Sequence, residues 1–340
     1  MASQRLAKKA DLCQGLVVEI KAYLIRKDGS VDDINVEKLA SLLPYDSTDS
    51  FIWIRLQDKP AAVAEWLRHH TQIIEPTISA LSAVETRPRF QIIDSGALIN
   101  LRGLGITPKD DPDGLISIRL WVEHSVVISV CFDVLAANNS IIDAMNKGAI
   151  HDPGDLIALI AEKVSDTLDP VVAALGDRVD NCEARLSSDD AWEMRRIIAS
   201  VRSQAISYRR FATPQRQALE TMANSHLAWL ADDDRIHLHG AADCFARMAE
   251  ELEAIRERAA LLHEQLTDLR SEQIDTRGLL LSIVALIFLP LTFLTGLLGM
   301  NVAGIPYANA PWAFNGVIAI CVLIAVAITL YFVQKQWFRR

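Results

Sequence analysis

Apolar and polar positions fall into three successive regimes along this chain. Up to about residue 150, short β-branched runs recur at 16–25, 51–56, 90–101, 115–122 and 126–131, and in the fourth Ile116, Ile118, Leu120 and Val122 alternate with other residues. These runs predict strands. Residues 61–71 and 77–84 have helical spacing, and Glu123-His124-Ser125 predicts a tight turn. Residues 1–150 therefore read as a mixed α/β domain with some antiparallel pairing. After Pro153 no strand signal returns, and helices are predicted over 155–186, 190–212 and 214–230. From Glu250 onward Leu252, Ile255, Ala259, Leu262, Leu266 and Leu269 stand at spacings of 3, 4, 3, 4 and 3, a heptad seam that predicts packing against other helices. No Gly or Pro interrupts the chain between Gly240 and Gly278, so residues 151–277 form a helical domain whose last helix runs on as a stalk.

The third regime begins at Gly278. From there to Gln334 there is no Asp, Glu, His, Lys or Arg. Residues 278–298 and 312–333 are each long enough, at about 1.5 Å per residue, to cross a hydrocarbon core of about 30 Å. Two transmembrane helices are predicted, joined by an external loop at 299–311 and followed by a basic tail at 334–340. Arg270 and Arg277 precede the first span and Lys335, Arg339 and Arg340 follow the second, while the loop is uncharged, so both termini are expected in the cytoplasm.

The two spans differ in texture. The second is apolar on every face except for Cys321 and Thr329, which suits contact with lipid. On the first, Thr292, Gly296 and Gly299 stack at i, i+4 and i+7, a stripe suited either to close helix approach or to a narrow wet path. Pro290 inside this span frees a backbone carbonyl. Two helices cannot enclose a pore. A path along the first span requires a ring of copies, and the heptad seam is the expected device that gathers them.

Charge and motifs narrow the function. The net charge of −9 lies on the part before the spans and disfavours nucleic-acid binding. Cys13, Cys131, Cys182, Cys244 and Cys321 show no CxxC or CxxH spacing, as expected of a reducing compartment. The first ten residues are followed by no apolar run or cleavage-site pattern, so no secretory signal is expected. There is no P-loop, nucleophile elbow, HExxH or dinucleotide-binding turn, so neither an enzyme nor a resident cofactor is expected.

Residues 290–301, Pro-Leu-Thr-Phe-Leu-Thr-Gly-Leu-Leu-Gly-Met-Asn, resemble the signature of the CorA superfamily of divalent-cation transporters, in which Gly-Met-Asn closes the first membrane helix. Within it the chain is similar to the ZntB branch, associated with zinc, through Glu85-Thr-Arg-Pro-Arg89, Leu98-Ile-Asn-Leu-Arg-Gly103, Ser117-Ile-Arg-Leu-Trp-Val-Glu123 and Val302-Ala-Gly-Ile-Pro306. The resemblance covers essentially the whole chain. It implies a CorA-like fold, a homopentamer in the cell inner membrane with a cytoplasmic funnel, and a pore lined by five copies of the first span. The implied cargo is Zn2+, with Co2+, Ni2+, Cd2+ and Mg2+ as further candidates. By position, Asn301 beside Gly299 and Met300 would form a polar ring at the outer mouth, with Thr292, Leu289 and Leu281 below it and Asp275 near the cytoplasmic end. Read as residues alone, Asn301 suits either hydrated-cation contact or a left-handed helix cap, and Leu281 and Leu289 suit either constrictions or packing.

Zinc prefers thiolate, imidazole and carboxylate, and the hairpin offers only Cys321 among these. Selectivity is therefore expected below the membrane or in kinetics. Asp232, Asp233, Asp234, His237, His239, Asp243 and Cys244 form one candidate metal group, with an acidic helix end as the alternative, and Glu65 with His69 forms a second. The branch is associated with both export and proton-coupled uptake. Coupling, if present, is expected at stalk residues such as Asp275, Glu272 or His263. Rival readings are a magnesium, cobalt or nickel channel driven by membrane potential, and a membrane-anchored sensor.

Overall fold

The computed structural model describes residues 19–106, 114–185, 191–300, 305 and 310–334. Residues 16–18 of the first expected strand, Cys13, Asn301 and the basic tail from Lys335 lie outside the described residues. Contacts divide the chain into two compact units, one of residues 1–186 and 192–263, the other of residues 187–191 and 264–340.

The first unit is built on a seven-stranded sheet. Its strands are β1 (Glu19–Arg26), β2 (Val31–Ile34), β3 (Ser50–Gln57), β4 (Arg89–Ile93), β5 (Gly96–Leu104), β6 (Leu115–Glu123) and β7 (Val126–Cys131), in the order β2-β1-β3-β7-β6-β5-β4. Only β3 and β7 pair in parallel. Helices α1 (Val36–Leu42), α2 (Pro60–His70) and α3 (Glu75–Leu81) cover one face, where Ile52, Ile54 and Leu56 meet Val63, Leu67, Ile78 and Leu81. Helices α4 (Asn138–Asn146) and α5 (Pro153–Ala184) follow the last strand, and Gly103 of β5 lies directly under Val164 of α5. A sheet covered on both faces buries both sets of side chains, and β6 is buried from Leu115 to Val122. Each fully buried Ile or Leu contributes about 1.5–3 kcal/mol.

The structure corrects several expected boundaries. The single strand expected at 90–101 is the β4–β5 hairpin, turning at Asp94 with φ 50 and Ser95. Apolar residues on both sides masked that turn, which uses the tolerance of Asp for left-handed backbone. Neither β2, α1 nor α4 was marked by an apolar period. The helices expected at 190–212 and 214–230 are one, α6 (Ala191–Ala223), which continues through Pro214. The stalk starts well before Glu250, as α7 (Asp232–Leu298). The last helix is α8 (Ala313–Gln334).

Helices α5, α6 and the upper part of α7 pack together. Leu252, Ile255, Ala259 and Leu262 are each at most 3% exposed. Ile255 faces Gly176 of α5. Around this seam Arg247 pairs with Asp169 at 2.9 Å, Arg258 with Glu183 at 2.7 Å and also with Asp180, and Arg209 with Glu253 at 3.2 Å. The expectation that this seam gathers copies is therefore corrected: from Leu252 to Leu262 it is filled inside one chain. Arg235 ties the start of α7 to the end of α6, its guanidinium donating to the Ala223 carbonyl at 2.8 Å and to Ser225 and Leu230. The Ala223 carbonyl is one that a helix end leaves without an intrahelical donor, and the other two lie in the connection between the helices.

Candidate functional site

The second unit carries the two helices long and apolar enough to cross a membrane, in α7 and α8. Neither finds cover among the described residues. Along the first span Leu281 is 69% and Leu289 74% exposed, and only Ile283 is buried. At 100° per residue Leu281, Leu289, Thr292, Gly296 and Gly299 lie within an arc of about 80°. Ile274, Gly278 and Ala285 share this arc. They were missed in the sequence because they carry no polar group, although projecting the helical period from Thr292 finds them.

Hydroxyl bonding separates the polar side chains of this span. Ser282 donates to the Gly278 carbonyl at 2.9 Å and Thr295 to the Leu291 carbonyl at 2.9 Å, each satisfied within its own helix. The Thr292 hydroxyl makes no hydrogen bond among the described residues, so it can face water or an ion. A side chain added at Gly296 or Gly278 would meet nothing within 4 Å, whereas one at Gly299 would press on the Thr295 carbonyl at 2.9 Å. The stripe thus has open space beside Gly296 and a tight helix end at Gly299. Met300 is half exposed, and Asn301, the expected polar ring, lies outside the described residues.

Above the span, α7 turns an acidic stripe away from its seam. Asp243, Glu250, Glu257, Glu264, Asp268, Glu272 and Asp275 are all exposed, at successive spacings of 7, 7, 7, 4, 4 and 3. Opposite them stand the buried seam positions. Asp275 and Glu272 are the membrane-proximal end of this stripe. His263 is also exposed on α7.

The expected cytoplasmic metal group does not assemble as drawn. Asp232, Asp233, His237, His239 and Asp243 are exposed and Cys244 is half-buried, whereas Asp234 turns inward and is 1% exposed. Asp234 meets Asp152, which caps α5, and Asp155 in its first turn, with one carboxylate oxygen of each lying within 4.8 Å of the others. It is the only such group of three His, Cys, Asp or Glu donors among the described residues. Its geometry is that of two helix starts meeting. Asp152 accepts from the Asp155 amide at 3.0 Å, Asp155 from the His151 amide at 2.9 Å and Asp234 from the Ala231 amide at 2.8 Å, so each caps a helix end. Gly154 permits the approach, since a Cβ there would stand 2.0 Å from an Asp234 oxygen. Burial, reinforced by the charges of Asp152, Asp155 and Asp233, pushes the Asp234 carboxyl up to about 7 against the pull of the Ala231 amide. Burial likewise raises Asp152. Glu65 and His69 of the second expected pair are exposed on α2.

Comparison with known proteins bears on the whole of this arrangement. The profile of the family described as "CorA-like Mg2+ transporter protein" matches residues 48–340. The chain belongs to that family. Among relatives of this CorA-like chain, the zinc transport protein ZntB of Pectobacterium carotovorum is 28% identical over 323 residues, covering 94% of this chain and 95% of its own. Two solved structures share the CorA-like fold. The full-length CmaX protein has a TM-score of 0.75 at 24% identity, covering 92% of this chain and 98% of its own. The complete CorA magnesium transporter from Methanocaldococcus jannaschii has a TM-score of 0.77 at 18% identity, with 94% and 99% covered.

Proposed function

We propose that this CorA-like chain transports Zn2+ across the cell inner membrane as a homopentamer, with both termini in the cytoplasm and with uptake coupled to protons. Divalent-cation transport of the CorA and ZntB type follows from the family match. The zinc assignment is supported by relatives named as zinc transport proteins that align with nearly the full chain. The observation that carries the mechanism is the continuity of α7, which joins an exposed acidic stripe to an uncharged, exposed span in one helix.

The acidic stripe raises the local concentration of cations, and its carboxylates are screened by water rather than fixed in a cage. The span then offers only neutral oxygen, from Thr292 and Asn301, so the ion passes with most of its water. Leu281 and Leu289 form hydrophobic constrictions on the same arc, where exclusion of water closes the path. Gly299 and Met300 shape the outer end. A single chain leaves the arc uncovered, which supports a ring of copies with this face inward and α8 toward lipid. Protons are exchanged at Asp275, with Glu272 and His263 as the further stalk groups that can change charge below the membrane.

Zinc flux into proteoliposomes holding the purified protein, with a pH gradient of either sign, tests this reading. Zinc entry stimulated by protons on the side of entry is expected. Magnesium is the competing cargo, favoured by the description of the family. Magnesium flux that follows membrane potential and ignores the pH gradient would replace the zinc assignment.

A further inference from the structure

We propose that the α/β domain holds a second cation site of the zinc type, formed by His69, His70, His124 and Glu123 in the cavity between the end of α2 and the β6–β7 turn. The site shares no residue with the proposed transport path and does not depend on which ion is the cargo. The cavity has a volume of about 460 Å³ and an apolar floor that includes Trp121, Val126 and Ile128. Three imidazoles and one carboxylate line it, and no Lys or Arg does.

The chemistry of each donor fits. The His70 ring stacks on Trp66, with centroids 4.9 Å apart and planes at 11°. Its Nδ1 lies 2.9 Å from the Trp66 carbonyl, which can only accept, so Nδ1 is the donor and, in the neutral ring, Nε2 is the nitrogen left with a lone pair. A ring nitrogen donating to a backbone carbonyl while the other is left for metal is the usual outer support of a ligating histidine. Glu123 is held in a similar way, accepting from Ser95 Oγ at 2.6 Å and from Trp121 Nε1 at 3.3 Å, and it has no cationic partner among the described residues. His69 and His70 sit in the last turn of α2, where the partial negative charge of the helix end favours a cation.

No three of these donors stand within 4.8 Å of one another in the present arrangement, so binding proceeds by rotation of the exposed rings of His69 and His124 toward His70. Neither ring is held by a hydrogen bond among the described residues. Imidazole with one carboxylate selects zinc, cobalt(II) or nickel(II) and leaves out magnesium, which takes oxygen ligands and keeps its water. The membrane path offers no such discrimination, and this cavity does.

Cobalt(II) is the probe, titrated into the full-length protein in detergent and followed by its visible absorption. One equivalent with the intense bands of four-coordinate cobalt is expected, displaced by zinc and untouched by a large excess of magnesium. His124→Asn, which tolerates the φ of 49 at that position, and His70→Gln should each weaken binding at least tenfold with an unchanged circular dichroism spectrum. The double variant His237→Ala, His239→Ala should bind as the native chain does. Full-strength binding by both His69→Ala and His124→Asn, or loss of the signal in the His237/His239 variant instead, would overturn the site. Zinc flux measured on the same preparations reports on the transport reading separately.

Discussion

Replacing Asp234 by Asn tests the meeting of the two helix starts. Holding a carboxyl whose ordinary value is 3.8 up at about 7 means that its ionisation inside the fold costs about 4 kcal/mol, at 1.36 kcal/mol per pH unit. The folded chain binds more protons than the unfolded chain between those values. Stability contributed by this group is therefore full below about pH 4, falls as the pH rises through the window, and is lost above about 7. Asn keeps the acceptor for the Ala231 amide and removes the charge, and its NH2 can donate to the Asp152 or Asp155 carboxylate. At pH 8.5 the variant should be more stable than the native chain by about 2–4 kcal/mol, an upper range because the proton is shared across the group. At pH 4.5 the difference should shrink to about 1 kcal/mol or less. Thermal unfolding of the full-length protein in detergent, followed by tryptophan fluorescence, reads this as a gain of roughly 2 °C per kcal/mol at the higher pH. A variant less stable than the native chain at pH 8.5, or an equal gain at both pH values, would refute the reasoning.

Three further outcomes follow from other parts of the molecule. Thr292→Val should lower zinc flux in proteoliposomes several-fold, whereas Thr295→Val, whose hydroxyl is already spent on its own helix, should leave flux within twofold of native. Asp275→Asn should abolish stimulation by the pH gradient while leaving basal flux; full proton-stimulated flux in that variant would count against Asp275. Arg119 is 1% exposed, lies over the Phe132 ring at 4.1 Å and donates to the Ala83 and Val84 carbonyls at 2.6 and 3.0 Å, with no carboxylate partner among the described residues. Arg119→Ala should therefore cost about 3 kcal/mol or more, measured by thermal unfolding, through two orphaned carbonyls and a cavity.

What could be read from the sequence follows physical range. The membrane hairpin was legible because absence of charge over a long run is a local property, and the strands at 51–56, 115–122 and 126–131 because β-branched runs are too. The seam residues Leu252 to Leu262 were legible as buried, yet not which helices would bury them, since an apolar spacing does not say whether its partner lies in the same chain. The Asp94–Ser95 turn was hidden by the apolar residues around it. Nothing in sequence brings Asp234 to Asp152, or places His70 and His124 on the lining of one cavity; those arrangements depend on the parallel packing of α5 with α7 and on the order of strands in the sheet. The unspent hydroxyl of Thr292 was not legible, because Ser282 and Thr295 look equivalent to it until their hydrogen bonds are known.

The filling of the seam within one chain has a consequence for how the molecule is made. Every residue of the sheet and of the three-helix bundle leaves the ribosome before the first span does. A stalk that waited for neighbouring copies would hold an apolar stripe in the cytoplasm during that interval, where it would attract other chains. Here Leu252, Ile255, Ala259 and Leu262 have partners in α5 and α6 as soon as they are synthesised. The chain can thus reach the membrane with its sheet and three-helix core already closed, leaving insertion of the hairpin as a later step.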